Sequence, residues 1–198
     1  MRLGLTRQVE LRDVFNKYLT LDPSDLTIVN SEHLKDGWHL WDTNETVKVL
    51  EQFFCSKTTL ETSGEDRPPK TLIVTFDNYG VSGHPNHISV HNGVVKFYKT
   101  TLETSGKDSS FKLLTLTSKS IFLKYFSPLD FVFTVFSEKL SVVLDIGGPK
   151  KTFLCTNLQD PLFLFNGMRF YKSQNVWFRK LFSLFSTYAY LNELLVVE

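Results

Sequence analysis

The sequence predicts an α/β fold, and three observations carry that reading. The run TLIVTF at 71–76 is an unbroken β-rich strand signal. Apolar residues recur at helical spacing after Asp42 and again after Pro85. Strand and helix signals then alternate down the rest of the chain, the pattern of helices laid on a largely parallel sheet.

The elements follow in order. Val9, Leu11, Val14, Phe15 and Tyr18 outline a first helix that stops at Leu21-Asp22-Pro23. DLTIVN at 25–30 reads as a short strand, and SEHLKDGWHLWD as a turn-like connection carrying His33 and His39. Asp42, three residues before Glu45, sets up a capping box for a helix presenting Val47, Leu50, Phe53 and Phe54. Residues 61–70 form a polar loop, and TLIVTF follows as a strand expected to be buried on both faces. Pro85, whose missing amide hydrogen costs nothing at a first helical position, starts a helix with His87, Ile88, His91, Val94, Val95 and Tyr98 in register. FKLLTLT reads as a strand, SKSIFLKYFS as a short helix, and DFVFTVF with KLSVVLDI as extended or peripheral. GGPKK is a turn and TFLCT a strand; a helix runs from Asp160-Pro161 to Lys172, and the aromatic stretch 173–197 is helical or partly so.

Composition narrows the function classes. A chain of 198 residues fits one domain or a large piece of one, and 42% apolar with 22% charged residues describes a folded protein. A formal charge of +1, spread along the chain, gives no basic stripe for nucleic acid, so no nucleic-acid partner is expected. Cys55 and Cys155 form neither a metal-ligand spacing nor a redox pair. The chain shows no signal-peptide run and no membrane-spanning stretch. Its 18 phenylalanines, crowded into the carboxyl-terminal half, imply an aromatic core or a greasy face.

One segment concentrates chemistry. FDNYGVSGHPNH places Asp77, Gly80, Gly83, His84 and His87 where a strand's carboxyl end hands over to a helix, the usual site position in open α/β sheets. Such a histidine pair can divide labour, one nitrogen holding a metal and the other facing substrate as acid or oxyanion donor. Two histidines are an incomplete set for catalytic zinc, which takes three protein ligands. The residues alone leave two readings open: a site pair, or imidazoles that cap a loop. His91 reads as a helix-face residue, and Arg7 with Glu10 as an ion pair within the first helix.

The segment VTFDNYGVSGHPNHISVHNGV closely resembles the second motif of the N-acetylglucosaminyl-phosphatidylinositol de-N-acetylase family. LTRQVEL, WDTNETV and MRFYKSQNVWFRKLF resemble three further family segments in the same order, so the resemblance runs from about Gly4 to Leu194. It implies a Rossmann-like, LmbE-type α/β fold over a single domain, residues 1–198, truncated at its amino terminus by one strand and one helix. It also implies zinc-dependent hydrolysis of the N-acetyl group of N-acetylglucosaminyl-phosphatidylinositol in glycosylphosphatidylinositol-anchor synthesis, at the cytoplasmic face of the endoplasmic reticulum membrane. By motif position His87 would be a zinc ligand, His84 would stabilise the oxyanion or protonate the leaving amine, and Asp77 would support the site. Arg7 would meet the inositol phosphate, whose oxygens suit a guanidinium fork.

The departures from the family matter as much. Its HPDDE motif, which supplies two further ligands and the general base, does not occur; the single His-Pro is His84-Pro85. Asn86 stands where bacterial relatives carry aspartate, and Tyr171 where a histidine usually precedes the Ser-Gln pair. The resemblance therefore implies a chain inactive alone: a truncated enzyme, or a non-catalytic partner subunit whose aromatic carboxyl end docks on a membrane or another protein.

Overall fold

The computed structural model describes residues 2–61, 71–105, 111–125, 152–157 and 159–197, together with 132, 134 and 136. Two compact units account for the chain: Asn30–Ser118 with 150–153 and 193–198, and Met1–Val29 with 119–149 and 154–192. The motifs DFVFTVF, KLSVVLDI and GGPKK, and the polar loop after Glu61, lie almost wholly outside the described residues.

The unit around Asn30–Ser118 contains α2 (Thr43–Glu61), β1 (Thr71–Phe76), the short turn α3 (Gly80–Gly83), α4 (Pro85–Ser105) and β2 (Phe111–Leu116). Asp42 caps α2 as the spacing predicts, its Oδ1 accepting from the Asn44 N–H at 2.6 Å and the Glu45 N–H at 3.3 Å. Glu45 turns instead to Lys48 at 2.7 Å, so only half of the box forms. Helices α2 and α4 meet where Gly93 admits Thr46; a Cβ on Gly93 would fall 2.3 Å from Thr46 Cγ2. Nearby, the Phe54 and Phe97 rings stack at 5.2 Å and Phe111 meets Phe54 edge-on at 5.4 Å. Val94, Tyr98 and Leu113 form the buried centre, with Leu50, Ile73 and Val90 packed against it.

The sheet has four strands in the order β1-β2-β4-β3, with β3 at Thr152–Thr156 and β4 at Leu191–Val197. Strands β1 and β2 pair in parallel from Thr71↔Phe111 to Phe76↔Leu116, whereas β4 runs antiparallel to β2, with Leu113 opposite Val197. The fold is thus mixed α/β. One expectation is corrected here: β1 is not buried on both faces but is an edge strand that turns Ile73 and Thr75 inward and leaves Leu72 and Val74 more than half exposed. The carboxyl-terminal stretch is partly helical. Its helix gives way at Ser186 to a 3₁₀ turn at Thr187–Ala189, and LNELLVV becomes β4, because β2 offers it an unpaired edge.

In the other unit, α1 (Arg2–Asp13) continues into a wider π turn at Val14–Tyr18, which confirms the first helix. The strand expected at 25–30 does not form. Asp22 caps a 3₁₀ turn at Pro23–Asp25 through the Ser24 N–H at 2.8 Å, and Leu26–Asn30 joins no sheet. The remaining helices are α5 (Ile121–Tyr125), α6 (Phe163–Met168) and α7 (Trp177–Phe185). The helix expected from Asp160 to Lys172 therefore shrinks to α6. Tyr18 seats against it, donating to the Phe163 carbonyl at 2.6 Å and packing on Phe170 at 5.6 Å.

Candidate functional site

The site is built at the carboxyl end of β1, from residues of one unit. Asp77 closes the strand by accepting four hydrogen bonds. Its Oδ1 takes the Tyr79 N–H at 3.2 Å, the Gly80 N–H at 2.9 Å and the Ser118 hydroxyl at 2.6 Å; its Oδ2 takes the Ser118 N–H at 2.6 Å. The carboxylate ties the loop after β1 to the end of β2. Val81, a β-branched residue at φ 68°, sits in the left-handed region that such residues avoid, and its N–H donates to Ser118 Oγ at 2.8 Å. That strain is held in place by the Asp77–Ser118 tie.

This loop positions His87. Gly80 has φ +65°, and a Cβ there would lie 2.7 Å from His87 Cβ, so only glycine lets the loop pass. The Gly80 carbonyl stands 3.0 Å from His87 Nδ1. A carbonyl can only accept, so Nδ1 carries the proton and Nε2 keeps its lone pair. A backbone-bonded Nδ1–H with a free Nε2 is the arrangement that prepares a histidine for metal ligation. Phe76, stacked on the imidazole at 4.2 Å and 11°, fixes its plane.

His84 is held the opposite way. The Asn86 N–H donates to His84 Nδ1 at 3.2 Å, which makes Nδ1 an acceptor and puts the proton on Nε2. Trp38 meets the ring edge-on at 5.0 Å. The two imidazoles lie 5.1 Å apart, centre to centre, so one element offers an Nε2 lone pair beside an Nε2–H. One can grip an electrophile while the other donates to an oxyanion or a departing amine.

Asn86 is buried and donates through Nδ2 to Asp36 Oδ1 at 3.1 Å. Its Oδ1 is a buried atom that no group among the described residues hydrogen-bonds. His91 donates from Nδ1 to the Phe76 carbonyl at 2.8 Å, one helical turn beyond His87, and so ties α4 to the end of β1. The described residues contain no group of three His, Cys, Asp or Glu side chains able to hold a metal ion. The zinc set that the resemblance implies therefore does not fit the residues described.

Arg7 lies on α1, in the other unit, with an exposed side chain. Its neighbour in the motif, Glu10, is the residue that sequence reasoning undervalued. Glu10 is buried, and its two carboxylate oxygens accept the Ser173 N–H at 2.7 Å and the Ser173 hydroxyl at 2.5 Å. Two of the segments that carry the resemblance, LTRQVEL and MRFYKSQNVWF, thus meet through a carboxylate clasp. Tyr171 is half-buried beside it, and burial, followed by the Glu10 carboxylate, pushes its phenol up.

Comparison with known proteins finds relatives along most of the chain. Over 180 residues the chain is 32% identical to a probable N-acetylglucosaminyl-phosphatidylinositol de-N-acetylase of Schizosaccharomyces pombe, covering 89% of the chain and 62% of that protein. It is 28% identical to a probable enzyme of the same description in Dictyostelium discoideum, across 99% of the chain and 77% of the relative. The Bos taurus N-acetylglucosaminyl-phosphatidylinositol de-N-acetylase is 29% identical across 89% of the chain and 60% of its own length. The chain thus spans about three fifths of the S. pombe and B. taurus relatives, and the similarity over most of its length makes it a homologue of these proteins. No family model and no solved structure matches it.

Proposed function

We propose that the 198-residue chain is a non-catalytic member of the N-acetylglucosaminyl-phosphatidylinositol de-N-acetylase group: it keeps the substrate-facing half of a deacetylase site and does not turn substrate over by itself. The observation that carries this reading is a mismatch. His87 presents Nε2 as a ligand does, yet the described residues supply no second and third donor to converge with it. One imidazole holds zinc too weakly to fix it, whereas a catalytic centre takes three protein ligands and an open position.

What this chain's own residues do is orient. His84, with its proton on Nε2, donates to the acetamide oxygen or to the amine nitrogen of a bound amino sugar. Asp77 keeps the loop that carries both histidines; for Arg7, motif position alone suggests a phosphate of an inositol phospholipid. The substrate class comes from similarity to the deacetylases, and the roles come from motif position together with the tautomers.

A second reading is full zinc-dependent deacetylation, and the ligand-ready tautomer of His87 favours it. Acetate release from N-acetylglucosaminyl-phosphatidylinositol, measured with metal analysis of the purified and dialysed chain, separates the two. The expected result is no release above buffer and well under one zinc per chain. Turnover with stoichiometric zinc would overturn the non-catalytic reading in favour of the second.

A further inference from the structure

Helix α7 wears its apolar side outward. At about 100° per residue, Trp177, Phe178, Leu181 and Phe185 share one arc. All four are exposed, Trp177 at 73%, while Ser183 on the opposite side is fully buried at 0%. An ordinary surface helix does the reverse, turning its apolar stripe to the core. Beside it, α5 contacts α7 through Tyr125 and Phe182, whose rings meet edge-on at 6.3 Å, and α5 leaves Ile121 and Phe122 exposed, Phe122 at 77%. An exposed apolar patch of this kind marks an interaction surface.

Charge selects the occupant. From Pro161 to Asn192 the sequence holds Arg169, Lys172, Arg179 and Lys180 and no aspartate or glutamate. Arg169, Lys172 and Lys180 are exposed, and Arg179 donates to Gln174 Oε1 at 2.8 Å. A second copy of the chain would bring like charges together across a two-fold contact. Nine residues rise only about 14 Å, and no described helix is long and apolar enough to cross a membrane. We propose that α7, with the exposed tip of α5, docks in the plane of an anionic phospholipid surface, seating its aromatic arc among the acyl chains and its cations at the headgroups. The surface lies in the unit that does not carry the histidine pair, and the proposal stands independently of deacetylation.

The test is co-sedimentation of the full chain with vesicles of phosphatidylcholine alone and of phosphatidylcholine with phosphatidylserine. Binding is expected to the anionic vesicles and to weaken at least tenfold in neutral vesicles and in high salt. The Leu181→Glu/Phe185→Glu variant is expected to lose at least tenfold in partitioning with an unchanged circular-dichroism spectrum. As a check that needs no surface charge change, brominated phospholipid should quench the fluorescence of the unaltered chain, and Trp177→Phe should abolish that quenching although Trp38 and Trp41 remain. Equal binding to both vesicles, or quenching that persists in Trp177→Phe, overturns the proposal. So does a lipid-free dimer that the double substitution dissolves, since the face then belongs to a second copy.

Discussion

Asp77→Ala is expected to destabilise the chain by about 3 kcal/mol, because hydrogen bonds to a charged acceptor contribute about 1.5–3 kcal/mol each and are partly replaced by water when lost. Four donors lose the carboxylate at once, the amides of Tyr79, Gly80 and Ser118 and the Ser118 hydroxyl, and of these the Gly80 amide keeps the Asp77 carbonyl at 3.1 Å. For a chain of this size that is a fall in melting temperature of roughly 6–12 °C. The effect does not stop at stability. With the carboxylate tie to Ser118 gone, the Val81 N–H bond to Ser118 Oγ is left to hold Val81 at its φ of 68°, and the loop relaxes so that the Gly80 carbonyl moves away from His87 Nδ1. Asp77→Asn keeps one acceptor oxygen and is expected to cost less than half as much. Thermal melts of the two variants, read with the imidazole resonances of His87, check this. A melt within a degree of the parent in Asp77→Ala would show that the carboxylate is a passive surface group.

Glu10→Ala is the second large effect, at about 2–3 kcal/mol, since it leaves two donors of Ser173 without their charged acceptor. Ser173→Ala is expected to cost about 1.5–2 kcal/mol, because it strands a buried carboxylate with one donor in place of two. Their double variant should fall well short of the sum, as contacting partners do. Urea denaturation of the three proteins gives the comparison, and strictly additive costs would dissolve the clasp. Tyr171 adds a pH signature. Its phenol is raised by burial first and by Glu10 second, so stability present below the ordinary tyrosine range is lost as the pH climbs through it. Glu10→Gln removes only the second cause.

Much of this could be read in the chain beforehand, and the limits have physical causes. TLIVTF and the periodicity after Pro85 gave β1 and α4 within their bounds, because a β-branched run and a proline start are local signals. Where the helical part of the aromatic stretch ends is not legible locally, because in LNELLVV four apolar residues in close succession suit a helix end as well as a strand, and only the free edge of β2 decides. DLTIVN has strand chemistry but no partner strand. At the site, spacing alone singled out His84 and His87. Their tautomers did not follow from spacing, since they are set by backbone groups: a carbonyl seven residues before His87 and an amide two residues after His84. The Glu10–Ser173 clasp joins residues 163 apart, and nothing local announces it.

The most direct measurement is the protonation pattern of the two imidazoles, by long-range proton–nitrogen correlation on histidine-labelled chain at a pH where both rings are neutral. His87 should show a proton-bearing Nδ1 and a bare Nε2, and His84 the reverse. Two rings in the same tautomer, or a His87 with its proton on Nε2, would contradict the division of labour on which the proposed site rests.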